Sequence, residues 1–123
     1  QVLKFTREMS SATTIRRVSG EAIVIGENRY TETIALTPDG LFGDFVPPPL
    51  EDLALSHFEM LLEDEPELVI LGTGERTLFP PRELTFAFAR RRIGLEVMDT
   101  AAAARTFNVL AGEGRRVAAV LYL

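Results

Sequence analysis

The chain has 123 residues, 46% hydrophobic and 25% charged, with a formal net charge of −5, no cysteine and one histidine, His57. That is the size and balance of one ordinary domain with a single core. The counts exclude a thiol nucleophile, a disulfide, an Fe–S cluster and a His/Cys zinc site, and the acidic balance opposes generic nucleic-acid binding.

In chain order, residues 1–13 show no sustained period and read as an N-terminal arm, and residues 14–123 read as a single domain. Thr14 to Pro38 is strand-like. The apolar clusters Ile15/Val18, Ala22–Ile25, Tyr30 and Ile34–Leu36 are separated by the turn residues Ser19-Gly20 and Gly26-Glu27-Asn28. Connections this short predict an antiparallel β-meander. Pro38-Asp39-Gly40 ends it, Leu41–Val46 has room for one more strand, and Pro47-Pro48-Pro49 forms a stiff connector without regular hydrogen bonding. Leu53–Leu62 reads as a short helix with Leu55, Phe58 and Leu62 on one face, stopped by Pro66.

The second half has a cleaner rhythm. Leu68–Leu71 is a continuous apolar run, as expected of a strand buried on both faces, and it ends at Gly72-Thr73-Gly74. Pro80-Pro81 open a helix with Leu84, Ala87 and Phe88 toward the core, closed by Gly94. Leu95–Met98 is the next strand. Asp99 or Thr100 caps a third helix, which ends at Gly112 or Gly114, and Val117–Leu123 is the last strand. The expected fold is therefore α/β: a three-layer arrangement around a mixed β-sheet, with an N-terminal β-meander followed by a βαβαβ unit. Two crossover helices imply three parallel strands, with the early strands beside them in the same sheet.

In open α/β sheets, ligands sit outside the carboxyl ends of the strands. Gly72-Thr73-Gly74-Glu75-Arg76 and Asp99-Thr100 both emerge there. Gly72 and Gly74 permit a turn with exposed N–H groups, Thr73 and Thr100 offer hydroxyls, Arg76 a positive fork and Asp99 a carboxylate. A helix N-terminus pointing at the same place favours an anion. Neither a full dinucleotide fingerprint nor a Walker loop is present, because Thr77 stands where the third glycine belongs and no Gly-Lys-Ser/Thr follows. The competing bland reading makes the glycines a tight turn, Asp99 a cap and Arg76 a solvated side chain. Asn108, on an apolar helical face, must be hydrogen-bonded; it either ties down a neighbouring loop's backbone or serves as a catalytic amide. His57 shares a turn with Ser56 and Glu59, but adjacent residues on a helix point apart, which leaves no triad.

Charge is segregated along the chain. Glu51 to Glu67 holds seven acids and no Lys or Arg, Arg82 to Arg116 holds seven arginines and four acids, and arginine supplies 12 of the 13 basic residues. Arg90, Arg91 and Arg92 form a basic run at a helix C-terminus, where positive charge is favourable, and they are the candidate interface to an acidic protein partner. Arg115 and Arg116 add to them in the weakest of the readings, nucleic-acid binding. No apolar run is long enough to span a membrane and no leader is visible, so a cytoplasmic location is expected.

Leu68–Gly74, Phe79-Pro80-Pro81, Val97-Met98-Asp99-Thr100, Arg105-Thr106-Phe107-Asn108 and Gly112-Glu113-Gly114-Arg115-Arg116 together resemble the Mth-domain family, over Thr14 to Leu123. That family includes small uncharacterised bacterial and archaeal proteins, a mitochondrial respiratory complex I assembly factor and an adipogenesis-associated Mth-domain protein. The resemblance implies a three-layer α/β fold, no established enzyme activity and, from the mitochondrial members, assembly through protein–protein contact. Many members carry cysteine before the Arg-Thr-aromatic-Asn segment; here Ala104 stands there, so no thiol role carries over.

The function expected is a non-enzymatic interaction or assembly-factor-like domain with a protein partner, no cofactor, no metal and no nucleic acid. A homo-oligomer and a small anion are the other partners this reading admits. The rival is a small-ligand binder or enzyme using Gly72, Thr73, Gly74, Arg76, Asp99, Thr100 and Asn108, with Asp99 as acid or base and Arg76 holding an anion.

Overall fold

A computed structural model describes residues 14–42 and 45–123. The expected arm, residues 1–13, lies outside the described residues, as do positions 43 and 44 of the strand expected over Leu41–Val46.

Three short strands come first: β1 (Ile15–Val18), β2 (Ile23–Ile25) and β3 (Asn28–Tyr30). They form an antiparallel sheet in the order β1-β2-β3, with an irregularity in register between Ile15 and Arg17. Next come β4 (Ile34–Thr37) and β5 (Gly40–Phe42), a hairpin whose two-residue loop is Pro38-Asp39. Thr37 pins that loop, accepting from the N–H of Asp39 at 3.1 Å and donating to the carbonyl of Gly40 at 3.2 Å. After the proline connector lie two 3₁₀ turns, Leu50–Asp52 and Leu55–Phe58, and one α-turn, α1 (Glu59–Leu62). The remainder alternates: β6 (Leu68–Thr73), α2 (Arg82–Arg90), β7 (Gly94–Met98), α3 (Thr100–Gly112) and β8 (Val117–Tyr122). Among the described residues, no helix is long and apolar enough to cross a membrane.

The main sheet has the order β5-β4-β8-β6-β7. β6 pairs in parallel with β7 and with β8, and β4 pairs antiparallel with β8 and β5. The chain goes outward from β6 to β7, then returns past β6 to β8. A right-handed crossover in each direction puts α2 and α3 on opposite faces. The side chains follow the strand period of two. Ile34 and Leu36 of β4, Ile70 of β6, and Val117, Ala119 and Leu121 of β8 face Ala103, Ala104 and Phe107 of α3, together with Ile15, Ile23 and Ile25 of the small sheet. Ala35, Val69, Leu71, Ala118 and Val120 face the other way, onto Leu53, Phe58, Leu61, Leu62, Leu84 and Phe88. On that side the Phe58 and Phe88 rings meet edge to face, 5.1 Å between centroids.

The α/β class, the mixed sheet and the βαβαβ unit are as expected. Three details differ. β1–β3 do not join the main sheet; only β4 and β5 do. Every residue of β4 is buried, which suits a strand flanked on both faces, whereas Arg16, Arg17 and Arg29 leave the small sheet with one apolar face only. Leu53–Leu62 is broken rather than continuous, because Ala54 is extended at φ −137 and ψ 164. His57 fixes the break by accepting the Ala54 N–H on Nδ1 at 3.0 Å. Finally, α2 is closed not by Gly94 but by Arg92, which takes the left-handed conformation at φ 60. Gly94 already belongs to β7, where a Cβ would lie 2.9 Å from Leu68 Cδ1.

Candidate functional site

The carboxyl ends of β6, β7 and β8 lie side by side, so Thr73-Gly74, Asp99-Thr100 and Tyr122-Leu123 meet at one edge of the sheet. The convergence expected of the first two segments is present. A depression of about 260 Å³ opens there, lined by Val18, Ser19, Gly20, Gly74, Glu75, Asp99, Thr100, Ala101, Tyr122 and Leu123. The turn between β1 and β2 forms one wall, a contribution that sequence pattern left unseen. Ser19-Gly20 reads correctly as a turn, but nothing in the residues tells that the small sheet folds over the crevice.

The polar atoms at this edge are committed to one another. Thr100, buried, accepts the Gly74 N–H on Oγ1 at 2.8 Å and donates to the Tyr122 carbonyl at 2.5 Å. The Thr100 N–H donates to the Gly74 carbonyl at 2.9 Å. One threonine thus ties the ends of β6 and β8 to the start of α3. Thr73, also buried, accepts the Leu78 N–H at 3.0 Å, and its hydroxyl lies 2.7 Å from the Arg76 carbonyl and 3.2 Å from that of Met98. It organises the loop after β6. Asp99 caps α3, accepting the Ala102 N–H on Oδ1 at 2.8 Å, as one of the two sequence readings had it.

The glycines answer to packing. A Cβ on Gly72 would lie 2.9 Å from Thr100 Oγ1, 3.0 Å from Thr100 Cα and 3.1 Å from Ala103 Cβ, so this glycine lets α3 approach β6 closely. Gly74 has φ +104, a conformation L side chains rarely adopt. Its N–H, counted among the groups exposed for an anion, is held by Thr100. Arg76 does not line the 260 Å³ depression. It is exposed, beside a shallower hollow of about 420 Å³ with Thr73, Glu75 and Leu78. The charged side chains that line the first depression are Glu75 and Asp99, both acidic, so its electrostatics disfavour the anion expected there.

Asn108 is placed elsewhere. It sits two turns along α3, where it accepts the Ile15 N–H on Oδ1 at 2.9 Å and donates from Nδ2 to the Ile15 carbonyl at 2.8 Å. The amide completes the outer edge of β1 as another strand would. This is the backbone-tying alternative for Asn108.

Arg90, Arg91 and Arg92 are all exposed at the end of α2. Arg91 lies 3.6 Å from Glu59 across to α1, Arg90 ends α2, and Arg92 turns the chain. Arg115 meets Glu67 with Nε and Nη2, at 3.1 and 2.7 Å. Its hydrogen bond is the main reason the Glu67 carboxyl is held below the usual range, and the Arg115 pKa is raised by the same bond. Arg116 donates to the carbonyls of Glu65 and Asp64. The acid-rich segment and the arginine-rich segment, apart in sequence, therefore meet within the fold. On the same side of the sheet, the Tyr122 hydroxyl donates to the Pro48 carbonyl at 2.7 Å and anchors the proline connector. Burial first, and then the Glu51 charge, push this phenol up to about 12.

A three-layer α/β domain with a mixed five-stranded sheet, a small sheet against α3, and strand-end atoms bonded to one another defines the class of protein: an Mth-type domain. The chain belongs to the family described as protein of unknown function (DUF498/DUF598), whose model matches residues 15–122. It is similar to the human NADH dehydrogenase [ubiquinone] 1 alpha subcomplex assembly factor 3, with 34% identity over 117 residues, 94% of this chain and 63% of the relative. Among solved structures, a Xanthomonas campestris protein is 41% identical with a TM-score of 0.80, covering 88% of this chain and 82% of that one. A Bordetella pertussis Mth938-like domain is 29% identical with a TM-score of 0.71, covering 91% and 86%. The chain spans about six-tenths of the length of the curated relatives it matches first.

Proposed function

We propose that this domain works by binding protein, as an assembly-factor-like module, and not by catalysis. The observation that carries the reading is the 34% identity to the human assembly factor over 94% of this chain, which takes in both sheets and both long helices. The strand-end chemistry is consistent with it. Asp99 is occupied as a helix cap and Thr100 as a bridge between strands, so the carboxylate and the hydroxyl offered for acid, base or binding work serve the fold, while Arg76 stays exposed outside the depression. The exposed surface also supports it: Phe79 is 81% and Phe86 53% exposed, in the loop before α2 and on α2 itself. Aromatic side chains left in solvent are enriched where proteins meet.

The test is capture of cross-linked partners by the full chain in its native host, quantified against an unrelated acidic domain of similar size. A defined partner enriched over that control is the expected result. Equal recovery with both baits overturns the reading.

A further inference from the structure

A groove of about 190 Å³ runs between β1 and the first half of α3, lined by Ile15, Arg16, Arg17, Val18, Ala101, Ala104, Arg105 and Asn108. Its three charged side chains, Arg16, Arg17 and Arg105, are all exposed arginines, and among the described residues no acidic one lines it. Arg16 is steadied by a hydrogen bond from Nη1 to the Gly26 carbonyl at 3.0 Å. Among the described residues, the guanidinium groups of Arg17 and Arg105 make no hydrogen bond or ion pair. The contrast with the other arginines matters. Arg91, Arg115 and Arg116 are drawn onto the acid-rich segment, whereas among the described residues this trio pairs with no acid.

We propose that this groove receives a glutamate side chain from an acidic segment of a protein partner. The proposal rests on the protein-binding reading above and names the chemistry of the partner. Arginine forks match a carboxylate in geometry as well as charge. Ile15, Val18, Ala101 and Ala104 give the lining apolar surface that suits the methylenes of a side chain, and Asn108, also in the lining, is engaged with the Ile15 backbone. The volume is below the range of about 300–1,000 Å³ usual for whole small-molecule sites, and is in keeping with a single side chain. The groove is also firmly built. Asn108 holds both the N–H and the carbonyl of Ile15, which fixes β1 against α3 and sets the spacing between Arg17 and Arg105.

The experiment is fluorescence anisotropy of a labelled hexaglutamate peptide with the full chain at low salt, with hexaglutamine as the neutral probe. Hexaglutamate is expected to bind and hexaglutamine not to. The Arg17→Glu/Arg105→Glu variant is expected to bind about tenfold more weakly, or worse, since two exposed attractions become repulsions. The Arg90→Glu/Arg92→Glu variant is expected to bind like the parent. An Arg17→Gln/Arg105→Gln variant, with the charge removed but not reversed, serves if the reversed one does not fold. Unchanged binding after removal of the Arg17 and Arg105 charges overturns the proposal, and so does an equal loss in the Arg90/Arg92 variant. Inorganic phosphate displacing the peptide as effectively as free glutamate also overturns it, because the apolar walls then contribute nothing. The two failures are distinguishable. If the parent chain captures a cellular partner and the Arg17/Arg105 variant captures it equally, the groove is wrong and protein binding stands. If the peptide arms behave as expected but no partner is captured, the groove binds carboxylates as such, and the protein-binding reading falls together with the partner role given to the groove.

Discussion

Asn108 and Ile15 are joined twice, by the Ile15 N–H on Oδ1 at 2.9 Å and by Nδ2 on the Ile15 carbonyl at 2.8 Å, although 93 residues separate them in the chain. Both polar groups of an edge-strand residue are thereby satisfied by one side chain of a helix. Among the described residues the small sheet has three strands, and β1 is its edge nearest α3, so this pair specifies how that sheet docks.

Asn108→Ala is expected to leave the Ile15 N–H and carbonyl without partners and to destabilise the domain by about 2 kcal/mol, the usual cost of orphaning part-buried polar groups. Chemical denaturation measures the loss, and hydrogen exchange at the Ile15 amide locates it. A variant as stable as the parent, with the Ile15 amide still protected, shows that docking of β1 does not depend on the amide.

Gly72→Ala separates packing from ligand binding. The added methyl must displace Thr100 or Ala103, which stand 2.9 to 3.1 Å from where it would be, and Thr100 is itself tied to Gly74 and Tyr122. Overpacking of this kind costs about 1–3 kcal/mol. The expected result is a fall in stability in buffer alone, with no ligand present. Full retention of the parent's unfolding midpoint contradicts the close-approach account of this glycine.

The second half of the fold was legible in the residues because its signals are local. A doubly buried run such as Leu68–Leu71, a proline pair before a helix and an Asp-Thr at a helix start each act within a few residues. The early strands were harder. Ile34–Leu36 and Ala22–Ile25 look alike as apolar clusters, yet the first is buried in the main sheet and the second lies in the small one. What divides them is pairing with β8, more than eighty residues away, which no local pattern contains. The candidate site shows the same limit. Convergence of Gly74 with Asp99-Thr100 followed from strand order, but the use of their polar atoms did not. Whether the Thr100 hydroxyl meets a ligand or the Tyr122 carbonyl depends on the register between β6 and β8. Charge segregation shows the limit once more: Arg91 meets Glu59 and Arg115 meets Glu67, contacts between distant segments that no local pattern contains.

Asp99→Ala and Asp99→Asn are expected to part company. The carboxylate accepts from the Ala102 N–H, a role an asparagine oxygen also fills. Alanine should cost about 1 kcal/mol and asparagine only a small fraction of that. Equal destabilisation by both variants in denaturant titrations contradicts the cap as the main role of Asp99 and points to its charge.

The last prediction concerns alkaline pH. The Tyr122 phenol donates to the Pro48 carbonyl and is pushed up to about 12 by burial and, secondarily, by Glu51. An unfolded tyrosine ionises near pH 10, as about that value is usual for a free phenol. The folded state therefore holds this proton more tightly than the unfolded state does. Stability from the protonated hydroxyl is fully present below about pH 10 and is lost as pH rises toward about 12. Ionisation would remove the donor from the Pro48 carbonyl and set a second negative charge near Glu51. Tyr122→Phe has no proton to lose. It is expected to be less stable than the parent by about 1 kcal/mol at neutral pH, the net worth of one hydrogen bond. That gap should narrow steadily across the alkaline window, since only the parent carries the penalty. Denaturant unfolding of both proteins at a series of pH values reads the gap. Tyrosinate absorbance reads the ionisation itself, with Tyr30 the one phenol left in the variant. A gap that stays constant through the window means that the Tyr122 proton is held no more tightly in the folded protein than in the unfolded chain.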